Sequence, residues 1–130
     1  MLSLQRQTDR GGFFMLPYII LNVGEKEYKL RLPAAEAINL ENKLGKNPLI
    51  ALYVDHDNNI LPKLIDVIFT LHFSLQKFHH GISLEDTYNI YDEYIDNGGT
   101  FGELINALYN VLEVSGYFRK VDNGKNKEKN

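Results

Sequence analysis

The pattern of apolar and polar residues begins with the alternation that is typical of β-strands. Two β-rich runs, 18–23 and 27–32, are joined by Gly24-Glu25-Lys26. Side chains of successive residues in a strand point to opposite faces, and the second run alternates in this way. Gly in a three-residue connection between two such runs indicates a tight turn. The pattern therefore predicts an N-terminal β-hairpin.

After the hairpin the spacing becomes helical. Pro33 suits a first helical position and Gly45 supplies a stop, which predicts a helix over 33–44. A short apolar piece follows over 47–53. The polar residues 55–59 are then typical of a loop.

Residues 62–79 form the most apolar segment and are predicted to be one long helix. Its polar residues recur at spacings of three and four and make a single narrow stripe, formed by Lys63, Asp66, Thr70, Ser74 and Lys77. Apolar side chains cover the rest of the circumference. This helix is therefore expected to lie at the centre of the fold or to be partly buried by another copy, which predicts a homo-oligomer.

Two further helices are predicted over 84–96 and 101–115, with a hinge at Gly98-Gly99. Each begins with a residue pair that can form a capping box, Ser83 with Asp86 and Thr100 with Glu103. The predicted fold is mainly α (α+β), an N-terminal β-hairpin followed by a bundle of four to five helices.

The predicted domain organisation has three parts. Residues 1–14 are expected to be a flexible N-terminal extension, 15–118 a single helical domain, and 119–130 a disordered polar tail. Met15 directly precedes the first strand. The sequence leaves two alternatives for residues 1–14: translation begins at Met15, or these residues are a native flexible arm.

Charge is distributed unevenly along the chain, and this limits the classes of partner that the protein can bind. Between Phe78 and Phe118 there is no Lys or Arg, whereas the same stretch has seven acidic residues: Glu85, Asp86, Asp92, Glu93, Asp96, Glu103 and Glu113. Such a surface repels phosphate, so nucleic acid is not expected as a partner. No run is long and apolar enough for a membrane span. A protein partner is the expected ligand.

No combination of residues indicates catalysis, a cofactor or a metal. The serines stand beside no His and acid that would complete a catalytic group, so the protein is not expected to be an enzyme. Asp55, Asp57 and Asn59 imitate an EF-hand loop, but Ile60 stands where Gly is needed. His72, His79 and His80 lack assisting ligands, and we expect core or capping roles for them.

Residues 88–96 are the candidate partner-binding segment. They combine aromatic side chains at helical spacing with acids placed against the helix dipole, and the candidate residues are Tyr88, Tyr91, Asp92, Glu93, Tyr94 and Asp96. A core role and an interface role for the tyrosines both remain open.

Several short motifs, in this order, resemble the tail assembly chaperones of siphophages and prophages of Gram-positive bacteria. The resemblance covers roughly 90 to 100 residues. It is carried by Tyr28-Lys29-Leu30-Arg31-Leu32, Glu41-Asn42-Lys43-Leu44-Gly45-Lys46-Asn47-Pro48-Leu49, Leu61-Pro62-Lys63-Leu64, His80-Gly81-Ile82, Tyr91-Asp92-Glu93-Tyr94-Ile95-Asp96 and Gly116-Tyr117-Phe118.

The resemblance implies a small helical protein of the host cytoplasm. Such a protein binds the tape measure protein, assists tail-tube assembly around it and is absent from the mature virion; the tail tube protein is a further partner to expect. The family has no catalytic residues to carry over. The strongest rival interpretation is a structural head-tail or tail connector that stays in the virion.

In this family a programmed frameshift near the end of the gene often yields a longer product. Gly124-Lys125-Asn126 and Glu128-Lys129-Asn130 could each be encoded over a slippery A-AAA-AAC heptanucleotide. A frameshifted longer form is therefore a further partner that the resemblance implies. A plain solubilising tail is the alternative.

Overall fold

The structure, a computed structural model, describes residues 18–120. It contains a two-stranded antiparallel sheet followed by five helices, which confirms the predicted α+β fold. The elements are β1 (Ile19–Val23), β2 (Lys26–Leu30), α1 (Ala34–Leu44), α2 (Pro48–Ala51), α3 (Leu64–Leu75), α4 (Leu84–Asp96) and α5 (Phe101–Val114). The expectations for residues 1–14 and for the frameshift positions lie outside the described residues, as does most of the predicted tail.

The hairpin directs one face into the core. Leu21 and Val23 of β1 are buried, while Ile20 and Asn22, which alternate with them, are exposed. Gly24 begins the turn with a φ of 62°, a left-handed conformation that glycine adopts without steric cost. Directly after β2, the backbone N–H of Arg31 donates to the carbonyl oxygen of Ser74 at 2.9 Å and connects the hairpin to the end of α3.

Helix α3 is the centre of the fold, as the sequence predicts. It packs against β2, α1, α4 and α5, and Val67, Leu71 and Leu75 are completely buried. The helix is shorter than the predicted 62–79. It begins at Leu64 because Lys63 has extended backbone. At the other end, the carbonyl oxygen of Ser74, which Phe78 would need as its acceptor to continue the helix, accepts from the backbone N–H of Arg31.

The central part of the polar stripe on this helix is buried and does not face solvent. Asp66, Thr70 and Ser74 are buried, and the two hydroxyls are satisfied within the helix. Thr70 Oγ1 donates to the carbonyl oxygen of Asp66 at 2.8 Å, and Ser74 Oγ donates to that of Thr70 at 2.7 Å. Small side chains bonded to the preceding turn can pack in a core at little cost. Part of the apolar circumference therefore faces outward.

Both predicted capping boxes form. Ser83 and Asp86 exchange hydrogen bonds at the start of α4, and Thr100 and Glu103 do so at the start of α5. Between the helices, Gly99 lies under the Tyr94 ring, where a Cβ would overlap the aromatic carbons. This close approach explains why a residue without a side chain stands at the predicted hinge.

The end of α5 is tied to the N-terminal half of the described chain. Ser115 Oγ accepts from the backbone N–H of Leu32 at 3.0 Å, and the Tyr117 hydroxyl donates to Glu41 Oε2 at 2.8 Å. Burial and the hydrogen bond to the Glu41 carboxylate raise the pKa of Tyr117. Among the described residues, no helix combines the length and the apolar character that crossing a bilayer requires.

Candidate partner-binding site

The predicted site residues on α4 fall on more than one side of the helix. Tyr91 and Tyr94 are half-buried and pack against the hydrophobic core. Tyr88 is 43% exposed. The three tyrosines therefore differ in their surroundings. Tyr94 packs over Gly99, whereas Tyr88 is available at the surface.

An open groove of about 430 Å³ lies between α3 and α4. Its surface is almost wholly apolar, and its lining consists of Leu64, Ile65, Ile68, Tyr88, Tyr91 and Asp92. Leu64 and Ile65 are 48% and 41% exposed, whereas Ile68 is buried. We call this feature the α3/α4 groove. It brings Tyr88, Tyr91 and Asp92 of the predicted set together with α3 residues that the sequence analysis did not single out.

The sequence indicates that α3 has an exposed apolar flank but does not indicate which residues form it. The narrowness of the polar stripe shows that apolar residues must face several directions, and burial of that stripe leaves an apolar flank outside. Which flank remains outside depends on how α3 packs against its neighbours. The periodicity of the helix alone cannot identify Leu64 and Ile65 as exposed.

An acidic strip runs beside the groove on α4. Glu85, Asp92 and Asp96 lie on one side of the helix, since seven and four residues correspond to about two turns and one turn, and all three are exposed. Within residues 18–120, no Lys, Arg or His comes within ion-pairing distance of any of these three carboxylates. The acidic strip therefore presents negative charge that the described part of the chain does not neutralise.

Glu93 belongs to a different environment. One carboxylate oxygen lies 3.7 Å from Nζ of Lys26 at the hairpin turn, and both side chains are at least half exposed. By sequence alone, Glu93 and Asp92 are equivalent candidates. In the structure, Glu93 faces the hairpin and Asp92 faces the groove.

A protein family model described as a family of unknown function, DUF6096, matches residues 18–130. The chain belongs to this family. No curated protein and no solved structure matches the chain.

This DUF6096 member has a second exposed apolar surface around α2, which we call the α2 patch. Its exposed members are Ile50, Tyr53, Ile60 and Leu61. They line an open pocket of about 490 Å³ together with Lys46 and Lys63. Lys46 is already engaged, because its Nζ lies 3.7 Å from Asp66 Oδ2. The α2 patch thus differs from the α3/α4 groove in having cations at its border.

In this DUF6096 chain, two of the three candidate histidines, His72 and His79, have partners other than a metal ion. His72 Nδ1 lies 3.1 Å from Thr87 Oγ1, joining α3 to α4, and His79 Nε2 accepts from the backbone N–H of Lys29 at 2.9 Å. Burial lowers the pKa of both imidazoles. In the described part of the chain, no three His, Asp or Glu side chains converge in a way that could hold a metal ion.

The loop that imitates a calcium site is organised by its own side chains. Asp55 Oδ2 accepts from Asn58 Nδ2 at 2.8 Å, and the backbones of Asp55 and Ile60 exchange two hydrogen bonds at 2.9 Å each. The hydrogen bond from the Asn58 side chain lowers the pKa of Asp55. This carboxylate stabilises the turn.

Proposed function

We propose that this protein is a tail assembly chaperone of siphophages or prophages of Gram-positive bacteria. In this proposal it binds the tape measure protein, assists tail-tube assembly and catalyses no reaction. The observation that carries the proposal is the α3/α4 groove, an exposed apolar surface beside the acidic strip, whose three carboxylates form no ion pair with any described residue. The ordered resemblance of the sequence motifs to this class supports the same assignment.

A groove of this kind suits a chaperone because an unassembled partner exposes apolar side chains that would otherwise aggregate. Leu64, Ile65 and Tyr88 offer apolar contact area, and exposed apolar surfaces bordered by polar residues are typical of protein interaction sites. The acidic strip adds an electrostatic preference for a cationic segment.

The proposed location is the host cytoplasm, with the protein absent from the mature virion. A structural head-tail or tail connector is the second candidate. The α2 patch favours this alternative, because a connector must bind two neighbours and the patch is a second exposed apolar surface.

Coexpression with the tape measure protein from the same genome tests the proposal. The tagged protein should capture it and increase its soluble fraction, whereas an unrelated long helical protein of similar charge should not be captured. Failure to capture the tape measure protein from soluble lysate, with the tagged protein folded, would contradict the chaperone assignment. Mass spectrometry of purified particles distinguishes the two candidates, because only a connector remains in them.

A further inference from the structure

We infer that the α3/α4 groove binds a cationic amphipathic helix of a partner protein, with the apolar face of that helix in the groove and its Lys or Arg side chains against the acidic strip. This inference rests on the proposed function in that the tape measure protein would supply such a segment. It adds the location of the site and the chemistry of the ligand. Neither follows from the resemblance.

The walls of the groove favour a helical ligand. Leu64, Ile65 and Ile68 come from α3, and Tyr88 and Tyr91 come from α4, so the groove offers side chains and no strand edge. An extended peptide would leave its backbone N–H and C=O groups without partners on this apolar surface. A helix satisfies those groups internally and inserts apolar residues at positions i, i+3, i+4 and i+7.

The charges beside the groove favour a cationic ligand. Asp92 lines the groove itself, and Glu85 and Asp96 lie one to two turns away on the same side of α4. None of the three forms an ion pair with another described residue, in contrast to Glu93, which lies near Lys26. Because no Lys or Arg occurs between Phe78 and Phe118, neither α4 nor α5 supplies a cation to this surface.

A second copy of the chain is a poorer occupant of the same groove. A two-fold interface uses the same surface on both subunits, so it would bring two acidic strips close together. Like charges facing each other across an interface are unfavourable. The groove and the strip are instead complementary to a segment that combines apolar and basic residues.

Fluorescence anisotropy with three labelled peptides tests the inference. The first is an 18-residue amphipathic helix with leucines at i, i+3, i+4 and i+7 and lysines flanking that face. The second replaces the lysines by glutamates, and the third has the composition of the first in a scrambled order that destroys the apolar face. Only the first should bind, and its affinity should fall as salt is added, because exposed charges are screened.

Two pairs of variants locate the binding. Ile65→Ser should weaken binding of the lysine peptide by about tenfold, whereas Ile38→Ser, at a 58% exposed isoleucine on α1, should not change it. Asp92→Asn should weaken binding by about two- to fivefold and reduce its salt dependence. Asp57→Asn, in the exposed loop before α3, should do neither.

The outcomes distinguish this inference from the proposed function. Binding that depends on Ile65 and Asp92, without capture of the tape measure protein, supports the groove and overturns the chaperone assignment. Capture of the tape measure protein that both variants leave unchanged supports the chaperone and overturns the groove. Equal binding of the lysine and glutamate peptides, or equal effects of Ile65→Ser and Ile38→Ser, also overturns the inference. A further result would also overturn it: the unmodified protein binds no peptide but dimerises as its concentration rises, and Ile65→Ser abolishes that dimerisation.

Discussion

Lys26 at the hairpin turn lies 3.7 Å from Glu93 on α4, and this ion pair separates Glu93 from its sequence neighbour Asp92. Adjacent residues on a helix are about 100° apart around the axis, so the two carboxylates face different surroundings. Glu93 has a cation from the same chain. Asp92 borders the α3/α4 groove and has none among the described residues.

Charge reversal at these two positions should therefore have unequal effects. We expect Asp92→Lys to weaken binding of the tape measure protein, because it places a cation beside the groove. Glu93→Lys should affect binding much less and should reduce stability by less than about 1 kcal/mol, since the pair with Lys26 is exposed. Pull-down and urea denaturation of both single variants measure the two effects. Equal binding by a folded Asp92→Lys variant would remove this surface from consideration.

Leu71 on α3 is completely buried, and a charge there should prevent folding. In Leu71→Asp an unpaired buried carboxylate costs several kcal/mol, against a total stability of about 5 to 15 kcal/mol. Circular dichroism during thermal unfolding should show no cooperative transition. Ile38→Asp, at an exposed position, is the matched control and should melt like the unmodified protein. A soluble Leu71→Asp protein that melts cooperatively would contradict the central placement of α3.

The elements could be predicted because their signals are local. The capping boxes before α4 and α5 and the glycine after α1 all mark boundaries that the structure has. The end of α3 could not be predicted, because it depends on a hydrogen bond from Arg31, 43 positions earlier in the sequence, to Ser74. The α3/α4 groove could not be predicted for a similar reason, since its two walls are separated in sequence and meet only through packing.

Stability should fall as the pH decreases below about 6.5. Burial and the charge of Lys29 lower the pKa of His79, whose Nε2 must be unprotonated to accept from the backbone of Lys29. The unfolded chain therefore binds the proton more readily than the folded protein. The contribution of the neutral His79 imidazole to folding stability is complete above the pKa that His79 has in the unfolded chain, and it is lost as the pH falls from that pKa towards the lower pKa of the folded protein. His72 acts in the same direction, because burial lowers its pKa too.

Urea denaturation between pH 5 and pH 8 measures this dependence. His79→Gln should be less stable at pH 8 and should show a flatter pH profile, because an amide does not titrate in this range. His56→Gln, which removes an exposed imidazole from the loop before α3, is the control. An unchanged slope in His79→Gln would show that the hydrogen bond to Lys29 does not contribute to the pH dependence.

Self-association remains a prediction, and the α2 patch is the surface on which we expect it. The acidic strip disfavours contact between two α3/α4 grooves, whereas Ile50 and Tyr53 are 66% and 50% exposed and the nearby Lys46 is paired with Asp66. Burying such side chains between copies releases water from apolar surface and favours association. Light scattering over a concentration series should show a mass above the monomer that falls in Ile50→Ser and not in Ile38→Ser. A strictly monomeric mass at high concentration and low salt would exclude the homo-oligomer, whereas association that Ile50→Ser leaves unchanged would place the contact elsewhere on the chain.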